Sequence, residues 1–314
     1  MPMLATLTSR RVFDDRWVFE RKLDGVRVLA AFDPDAGVRL TSRTGRALNG
    51  TYPEVVAALE QQSGLEFTVD GEVVALEHGR TSFELLQQRL GLSDPVAALA
   101  TGVAVTYYLF DLLSLDGRDT TGLPLRDRKA LLREAIDFHG PLRYTAHRNR
   151  GGQELLEEAC GKGWEGLIAK RADSRYAHGR STDWLKLKCS SGQEFVVGGF
   201  TEPAGSRAGF GALLVGHYQD GRLRYAGKVG TGYDGRTLTE LRARLDALRQ
   251  DDSPFADRIQ ERQARWVRPE LVAQVGFSEW TRAGRLRHPR FLGLRDDKDP
   301  SRVVREEPVP GGTP

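Results

Sequence analysis

The sequence predicts an α+β protein of two domains, residues 1–189 and 190–314. Three observations lead there. At 314 residues the chain is about two domains long. Its first part interleaves β-prone runs with segments of helical apolar spacing. After Lys188 the texture changes: Cys189-Ser190-Ser191-Gly192 reads as a linker, and the remainder is mostly β-prone with a single helix.

The elements follow in chain order. In FERKLDGVRVLAAF, residues 19–32, an interior strand runs from Val26, with the charged cluster Glu20, Arg21, Lys22, Asp24 and Arg27 at its mouth. Gly25 there allows a tight turn or a close approach of backbone. Ser42-Arg43-Thr44-Gly45 is a polar turn before a helix that opens at Tyr52-Pro53-Glu54 and carries Val55, Val56 and Leu59. Residues 67–76 read as a strand broken at Asp70-Gly71, and Thr81 with Glu84 forms a capping box before Leu85, Leu86 and Leu90. Residues 103–113 are a strand ending near Phe110-Asp111, 125–136 a helix, and 166–170 and 184–188 short strands. Beyond the linker, 194–200, 212–218 and 223–229 read as strands, the last two joined by the hairpin signal Asp220-Gly221. A helix over 237–250 has a Thr237–Glu240 capping box and a stripe of Leu238, Leu241, Leu245 and Leu248. A strand over 271–281 follows, and 306–314 is a loose tail. This mostly-β second part suits a small barrel of the oligonucleotide-binding type.

Composition narrows the function classes. Hydrophobic residues make up 39% and charged residues 28%, ordinary for a globular protein. A net charge of +3 means that an anionic partner must be met by local clustering of charge. Cys160 and Cys189 have no metal spacing, so a disulfide framework is excluded and a reduced, cytoplasmic setting is expected. No run approaches the roughly 18 apolar residues of a membrane span, and the start MPMLATLTSRR has no signal-peptide core.

Taken singly, the chemical motifs are weak. Glu72 in Asp70-Gly71-Glu72 could project into solvent, Phe110 could be core, and Glu165 could be a loop acid. Lys186 and Lys188 alternate in Trp184-Leu185-Lys186-Leu187-Lys188 and so share one face, where they could simply guard a sheet edge. Residues 282–305, with eight Arg or Lys against three Asp, could be a soluble surface.

Order and spacing carry more. KLDGVR, SRTG, DGE, FD, EGLIAK, WLKLK and RDDK, in this order, resemble the motif set of the covalent nucleotidyltransferases, and among them the ATP-dependent DNA ligases. PMLA near the start, GKVGTGY at 227–233 and LRHPRFLGLRDDKDP at 286–300 look most like the bacterial end-joining (LigD-type) branch. The resemblance spans about residues 2–305. It implies an ATP-grasp-like nucleotidyltransferase (adenylation) domain with antiparallel sheets and helices, followed by an OB-fold β-barrel.

The implied chemistry is attack of Lys22 on the α-phosphorus of ATP, transfer of the resulting AMP to a 5′-phosphate, and closure of the break by the 3′-hydroxyl. A lysine attacks only as the neutral amine, so burial, Arg27, Lys186, Lys188 and a divalent ion are expected to depress its pKa. The resemblance gives Lys186 and Lys188 to charge stabilisation, Asp24 to orienting the amine or metal, and Glu20 to the exocyclic amine of adenine. It gives Phe110 to stacking on the base, Arg27 and Arg43 to sugar and phosphate, and Lys170 to the nucleotide. Glu72 and Glu165 would hold Mg2+ or Mn2+, with Glu72 also near the ribose, and Arg295, Asp297 and Lys298 would be brought over the β,γ-phosphates. The expected partner is duplex DNA with a nick or break, gripped through its phosphates by a monomer at the bacterial nucleoid. This sequence carries neither the polymerase nor the nuclease module of related end-joining ligases, so the expectation is either a minimal ligase that stands alone or one whose partners, a Ku-like end-binding protein and a separate polymerase or nuclease, act in trans. An RNA ligase or capping-type nucleotidyltransferase, and a DNA-end binding module without catalysis, are the alternative readings.

Overall fold

The structure, a computed structural model, describes residues 1–306 except 11, 63, 190, 191, 204–208 and 262. Ser190 and Ser191 of the expected linker and residues 307–314 of the expected loose tail lie outside the described residues. The chain divides into two units, one over Met1–Cys189 and one over Ser190–Glu306.

The first unit opens with β1 (Met3–Leu7), β2 (Trp17–Arg21), β3 (Val26–Asp33), β4 (Gly37–Ser42), α1 (Pro53–Glu60) and β5 (Phe67–Glu77). It continues through β6 (Arg80–Thr81), α2 (Phe83–Gln87), α3 (Pro95–Ala100), β7 (Val105–Leu115), β8 (Arg118–Asp119) and α4 (Leu125–Ala135). It closes with β9 (Leu142–Tyr144), β10 (His147–Arg148), α5 (Gly152–Gly161), β11 (Gly166–Arg171) and β12 (Gly179–Lys188). These form a seven-stranded sheet of order β4-β3-β5-β7-β8, with β6 on β5 and β9 on β7, and a five-stranded sheet of order β1-β12-β11-β2-β10.

Alternation along the strands sorts side chains between two faces of each sheet. On the seven-stranded sheet Val26, Val28 and Ala30 of β3, Val69 and Val73 of β5 and Tyr107 and Leu109 of β7 bury against Val55 and Leu59 of α1, Leu86 of α2 and Leu132 of α4. Burying one such side chain stabilises the fold by about 1.5–3 kcal/mol. On the five-stranded sheet Phe19, Leu167, Leu185 and Leu187 pack beneath Leu156 and Ala159 of α5. The opposite faces of the two sheets carry the charged residues, and a small cluster of Met3, Phe110, Tyr176 and Trp184 joins strands of both.

Several expectations are corrected. Glu20 and Arg21 belong to the strand β2, which the sequence reading missed. The expected break at Asp70-Gly71 is absent: β5 is continuous, and its pairing with β7 shifts register there instead. A Cβ on Gly71 would stand 2.5 Å from the Tyr107 ring and from the Tyr108 carbonyl oxygen, so glycine permits close packing and does not end the strand. Thr81 is tied into β6, and Ser82 caps α2 by accepting from Leu85 N at 3.3 Å. Phe110 and Asp111 lie mid-strand in β7.

The second unit holds β13 (Gly192–Thr201), β14 (Leu213–Gln219), β15 (Arg222–Val229), α6 (Gly235–Ala247), β16 (Arg249–Gln250), β17 (Ala264–Gly276) and β18 (Arg290–Leu294). Its sheet has the order β15-β14-β13-β17-β16 with β18 on β17, and Leu238, Leu241 and Leu245 of α6 enter its core with Phe195, Val215 and Val275. This is the OB-fold domain. Gln219 pairs with Arg222, leaving Asp220-Gly221 as a two-residue hairpin loop. The cap of α6 is Asp234, whose Oδ1 accepts from Thr237 N at 2.7 Å, and not Thr237 itself. β17 begins at Ala264 and ends at Gly276, so the strand expected over 271–281 starts earlier and stops sooner. Pro269 falls where the pairing with β13 skips from Leu271 to Trp266, a bulge that tolerates a missing donor. Among the described residues no helix is long and apolar enough to cross a membrane.

The exclusion of a disulfide is also corrected. Cys160, at the end of α5, is bonded to Cys189, just after β12, with Cα atoms 5.2 Å apart. Packing of α5 over β11 and β12 brings together residues 29 apart, which spacing alone does not show. A bridge across that loop is worth about 2–4 kcal/mol. Thermal melts with and without reductant should differ accordingly, with the reduced protein melting lower; superimposable melts would refute a stabilising bond.

Candidate active site

Strand register puts most of the expected residues on one sheet face. Glu20 of β2 stands opposite Ile168 of β11, and Ile168 opposite Lys186 of β12. Val18, Lys170 and Trp184 form the next row, and Gly166 pairs with Lys188. Lys22 extends β2 beyond its end, its N–H donating to Gly166 O at 2.9 Å. Glu20, Lys22, Lys170, Lys186 and Lys188 therefore share one face, opposite the face packed under α5. The turn after Lys22 is held tightly: a Cβ on Gly25 would lie 2.2 Å from Val73 O.

Lys22 makes an ion pair with Glu165 at 2.5 Å. Burial opposes its charge, but Glu165, then Asp24 and Glu72, outweigh that and raise its pKa above the ordinary lysine value. This reverses the expectation of a depressed pKa. The expected cations are present in the fold, but carboxylates dominate the surroundings of the ammonium. Lys22 is thus held charged, and its proton must leave before it can attack.

Glu20 is buried between two lysines, with Lys129 Nζ at 2.6 Å from Oε1 and Lys170 Nζ at 2.7 Å from Oε2. Burial pushes its pKa up, and Lys129 and Lys170 together push it further down, so the carboxylate is held ionised. Burial in turn lowers Lys170 to about 8, against the pull of Glu20. The Lys170 ammonium also lies 4.2 Å from the Phe110 ring centroid and 4.1 Å from that of Trp184.

Arg27 forks onto Asp70 at 2.5 and 2.6 Å, donates to Met3 O at 3.1 Å, and lies 4.6 Å over Phe110. Tyr176 donates to the same carboxylate at 2.5 Å. Asp70 keeps the guanidinium charged against the cost of burial. Arg27 and Glu72 are register partners on β3 and β5. Arg43 is half-buried in the turn after β4. In the second unit Arg295 forks onto Asp297 at 2.8 and 2.9 Å, and Lys298 pairs with Glu194 at 3.0 Å. Burial works against the Asp297 charge, but Arg295 and Lys298 hold its pKa down to about 2.

Among the described residues no three His, Cys, Asp or Glu side chains are grouped to hold a metal ion by themselves. Glu72 and Glu165 both act on Lys22 and offer hard oxygen donors. One or two carboxylates, completed by water and phosphate oxygens, is a pattern that Mg2+ accepts, so these residues fit such an ion.

Sequence reasoning missed Lys129, Asp70, Tyr176 and Trp184 as parts of this centre, and left Asp111 without a partner. Asp111 is bound by Arg128 at 2.6 and 2.8 Å, both side chains fully buried. A signal existed: Leu125, Arg128, Lys129 and Leu132 are the buried stripe of α4. Two charged residues at core-facing positions require buried partners.

Comparison with known proteins agrees with the motif order. Residues 2–188 match the model of the ATP dependent DNA ligase domain, and residues 206–298 that of the ATP dependent DNA ligase C terminal region. The chain is 38% identical to the multifunctional non-homologous end joining protein LigD of Pseudomonas aeruginosa, over 98% of this chain and 37% of that protein. It is 41% identical to the LigD DNA repair protein of Mycobacterium tuberculosis, over 97% of this chain and 40% of the relative. It thus spans about two-fifths of the length of these curated relatives. A solved structure of mycobacterial DNA ligase D complexed with ATP and MES is similar, with a TM-score of 0.67 and 38% identity over 97% of this chain and 98% of that one. The ligase domain of M. tuberculosis LigD matches with a TM-score of 0.53 and 39% identity, over 97% and 98% of the two chains. Two family models that between them cover most of both units, in the order of the motifs, place this chain in the ATP-dependent DNA ligase family.

Proposed function

We propose that this chain seals 5′-phosphate/3′-hydroxyl breaks in duplex DNA, with Lys22 as the nucleophile and ATP as the AMP donor, in end-joining repair. The observation that carries the reading is the Lys22–Glu165 pair on the same sheet face as Glu20, Lys170, Lys186 and Lys188.

In the first step the neutral Lys22 amine attacks the α-phosphorus of ATP, a P–N bond forms and pyrophosphate leaves. In the second, a 5′-phosphate oxygen of DNA attacks the same phosphorus and Lys22 departs as an amine. In the third, the 3′-hydroxyl attacks the 5′-phosphate, the phosphodiester forms and AMP leaves. Glu165, ion-paired with the ammonium at 2.5 Å, is positioned to take its proton; Asp24 orients the amine. Lys186 and Lys188 stabilise charge on the transferring phosphate. Glu20 accepts from the exocyclic amine of adenine, Arg27 and Arg43 hold sugar and phosphate, and Lys170 fixes Glu20; Phe110 would stack on the base in place of the Arg27 and Lys170 cations that lie against its ring. Mg2+ or Mn2+, held by Glu72 and Glu165, would supply positive charge at the phosphate oxygens. Arg295 and Lys298 serve the β,γ-phosphates, with Asp297 aiming the Arg295 guanidinium. A Ku-like end-binding protein is the proposed partner in trans.

Incubation with α-labelled ATP and magnesium, followed by denaturation, should leave label on the protein, and label should chase into nicked DNA but not nicked RNA. Protein that retains no label would sink this reading. DNA binding through phosphates should weaken by about 10³-fold between 50 and 200 mM salt if some six contacts form. A flat salt response in a binding titration would contradict that mode of grip.

A further inference from the structure

Glu20 is the residue that reads the base in the function proposed above, and the next inference rests on that reading. Its two oxygens are held from different elements: Lys129 of α4 at Oε1 and Lys170 of β11 at Oε2. Lys129 is itself fixed on its far side, donating to Thr145 O at 3.0 Å and lying 4.7 Å from the Tyr144 ring centroid. Thr145 Oγ1 and His147 Nδ1, on the segment beside Glu20, are buried and have no hydrogen-bond partner among the described residues. Polar capacity therefore remains unspent around this carboxylate, as a bound base would require.

A carboxylate oxygen that already accepts one lysine proton has a second lone pair for an amine. It has nothing to offer a carbonyl oxygen. Adenine presents an amine at the position where guanine presents a carbonyl, so an ionised and immobile Glu20 favours one base and repels the other. If the carboxyl could protonate it would donate to the guanine oxygen, and if it could swing away it would no longer repel that oxygen; in either case the distinction would fade.

We propose that Lys129 is a positioning residue for nucleotide choice, holding Glu20 as an oriented anion that accepts adenine and rejects guanine. None of the ligase motifs in the sequence includes Lys129, and its ammonium reaches the base only through Glu20.

The test is self-adenylation of the full chain with labelled ATP and labelled GTP, reading KM and the maximal rate separately. K129M should raise KM for ATP by about tenfold or more, leave the maximal rate of the active fraction within a few-fold, and narrow the ATP-over-GTP preference by a similar factor. K129R should keep the preference. Neither KM nor base preference depends on how much of a preparation is folded, and K129Q serves if K129M cannot be made. An unchanged KM and preference in K129M or K129Q, or a K129R as unselective as K129M, would overturn the proposal. Wild-type protein that takes no label from ATP would instead defeat the ligase reading itself.

Discussion

Lys22→Ala should leave no detectable AMP on the protein and no sealing of a nick, while the variant still binds DNA. The proposed chemistry passes through a bond to this nitrogen. The structure adds a pH dependence. Glu165, Asp24 and Glu72 hold the Lys22 pKa above its usual value, so the neutral fraction is small at neutral pH. Self-adenylation should therefore rise with pH, by about tenfold per unit while the ammonium predominates. Glu165→Gln removes the strongest of the charges favouring the ammonium and should move this rise to lower pH. Its maximal rate should fall, because a proposed metal ligand and proton acceptor is lost with it. A rate that falls as pH rises from 6 to 9 would show that Lys22 does not lose its proton in the slow step. The sign for stability is the opposite: the Lys22–Glu165 attraction is fully present below the unfolded lysine pKa and is lost only as pH climbs through the higher folded value.

Arg128→Met has the largest expected cost to stability, about 3–5 kcal/mol. Arg128 spends Nε and Nη2 on Asp111 and Nη1 on the carbonyl oxygens of Leu123 and Ser174, tying α4 to β7 and to the chain that follows β11. Its loss strands a buried carboxylate next to Phe110. Taking both charges out together, Asp111→Leu with Arg128→Met, should recover much of the loss, because two apolar groups leave nothing unpaired. Denaturant unfolding of the two variants measures this directly. A single variant within about 1 kcal/mol of wild type would mean that water reaches Asp111.

Much of the fold was legible because the strands alternate. Leu185 and Leu187 pack inward under α5, so Lys186 and Lys188 must share the other face. The hairpin at Asp220-Gly221 and the helix carrying Leu238, Leu241 and Leu245 were equally plain. Caps were harder: Thr81 fits the capping box, but it is spent on pairing with β5, and the cap falls to Ser82. Gly71 resembled a strand break because its effect depends on Tyr107, which lies far away in the sequence. The Cys160–Cys189 bond was hidden for the same reason, since it needs α5 laid over β12.

The site was legible as motifs but not as electrostatics. Burial, Arg27, Lys186, Lys188 and a divalent ion point to a depressed pKa for Lys22, yet a carboxylate remote in sequence, Glu165, stands 2.5 Å from its nitrogen. Lys129 belongs to none of the motifs and lies in a helix marked only by apolar spacing over 125–136. The pattern Leu125, Arg128, Lys129, Leu132 already placed two cations on the buried stripe.

The proposed reaction requires the Lys22 side-chain nitrogen to become bonded to AMP. Its most direct test is mass analysis of proteolytic peptides after incubation with ATP and magnesium. One AMP residue should be found on the peptide containing Lys22, in a linkage cleaved by acid and stable to alkali, as a phosphoramidate is. An adduct on any other residue, or an unmodified peptide from protein that seals DNA, would contradict it.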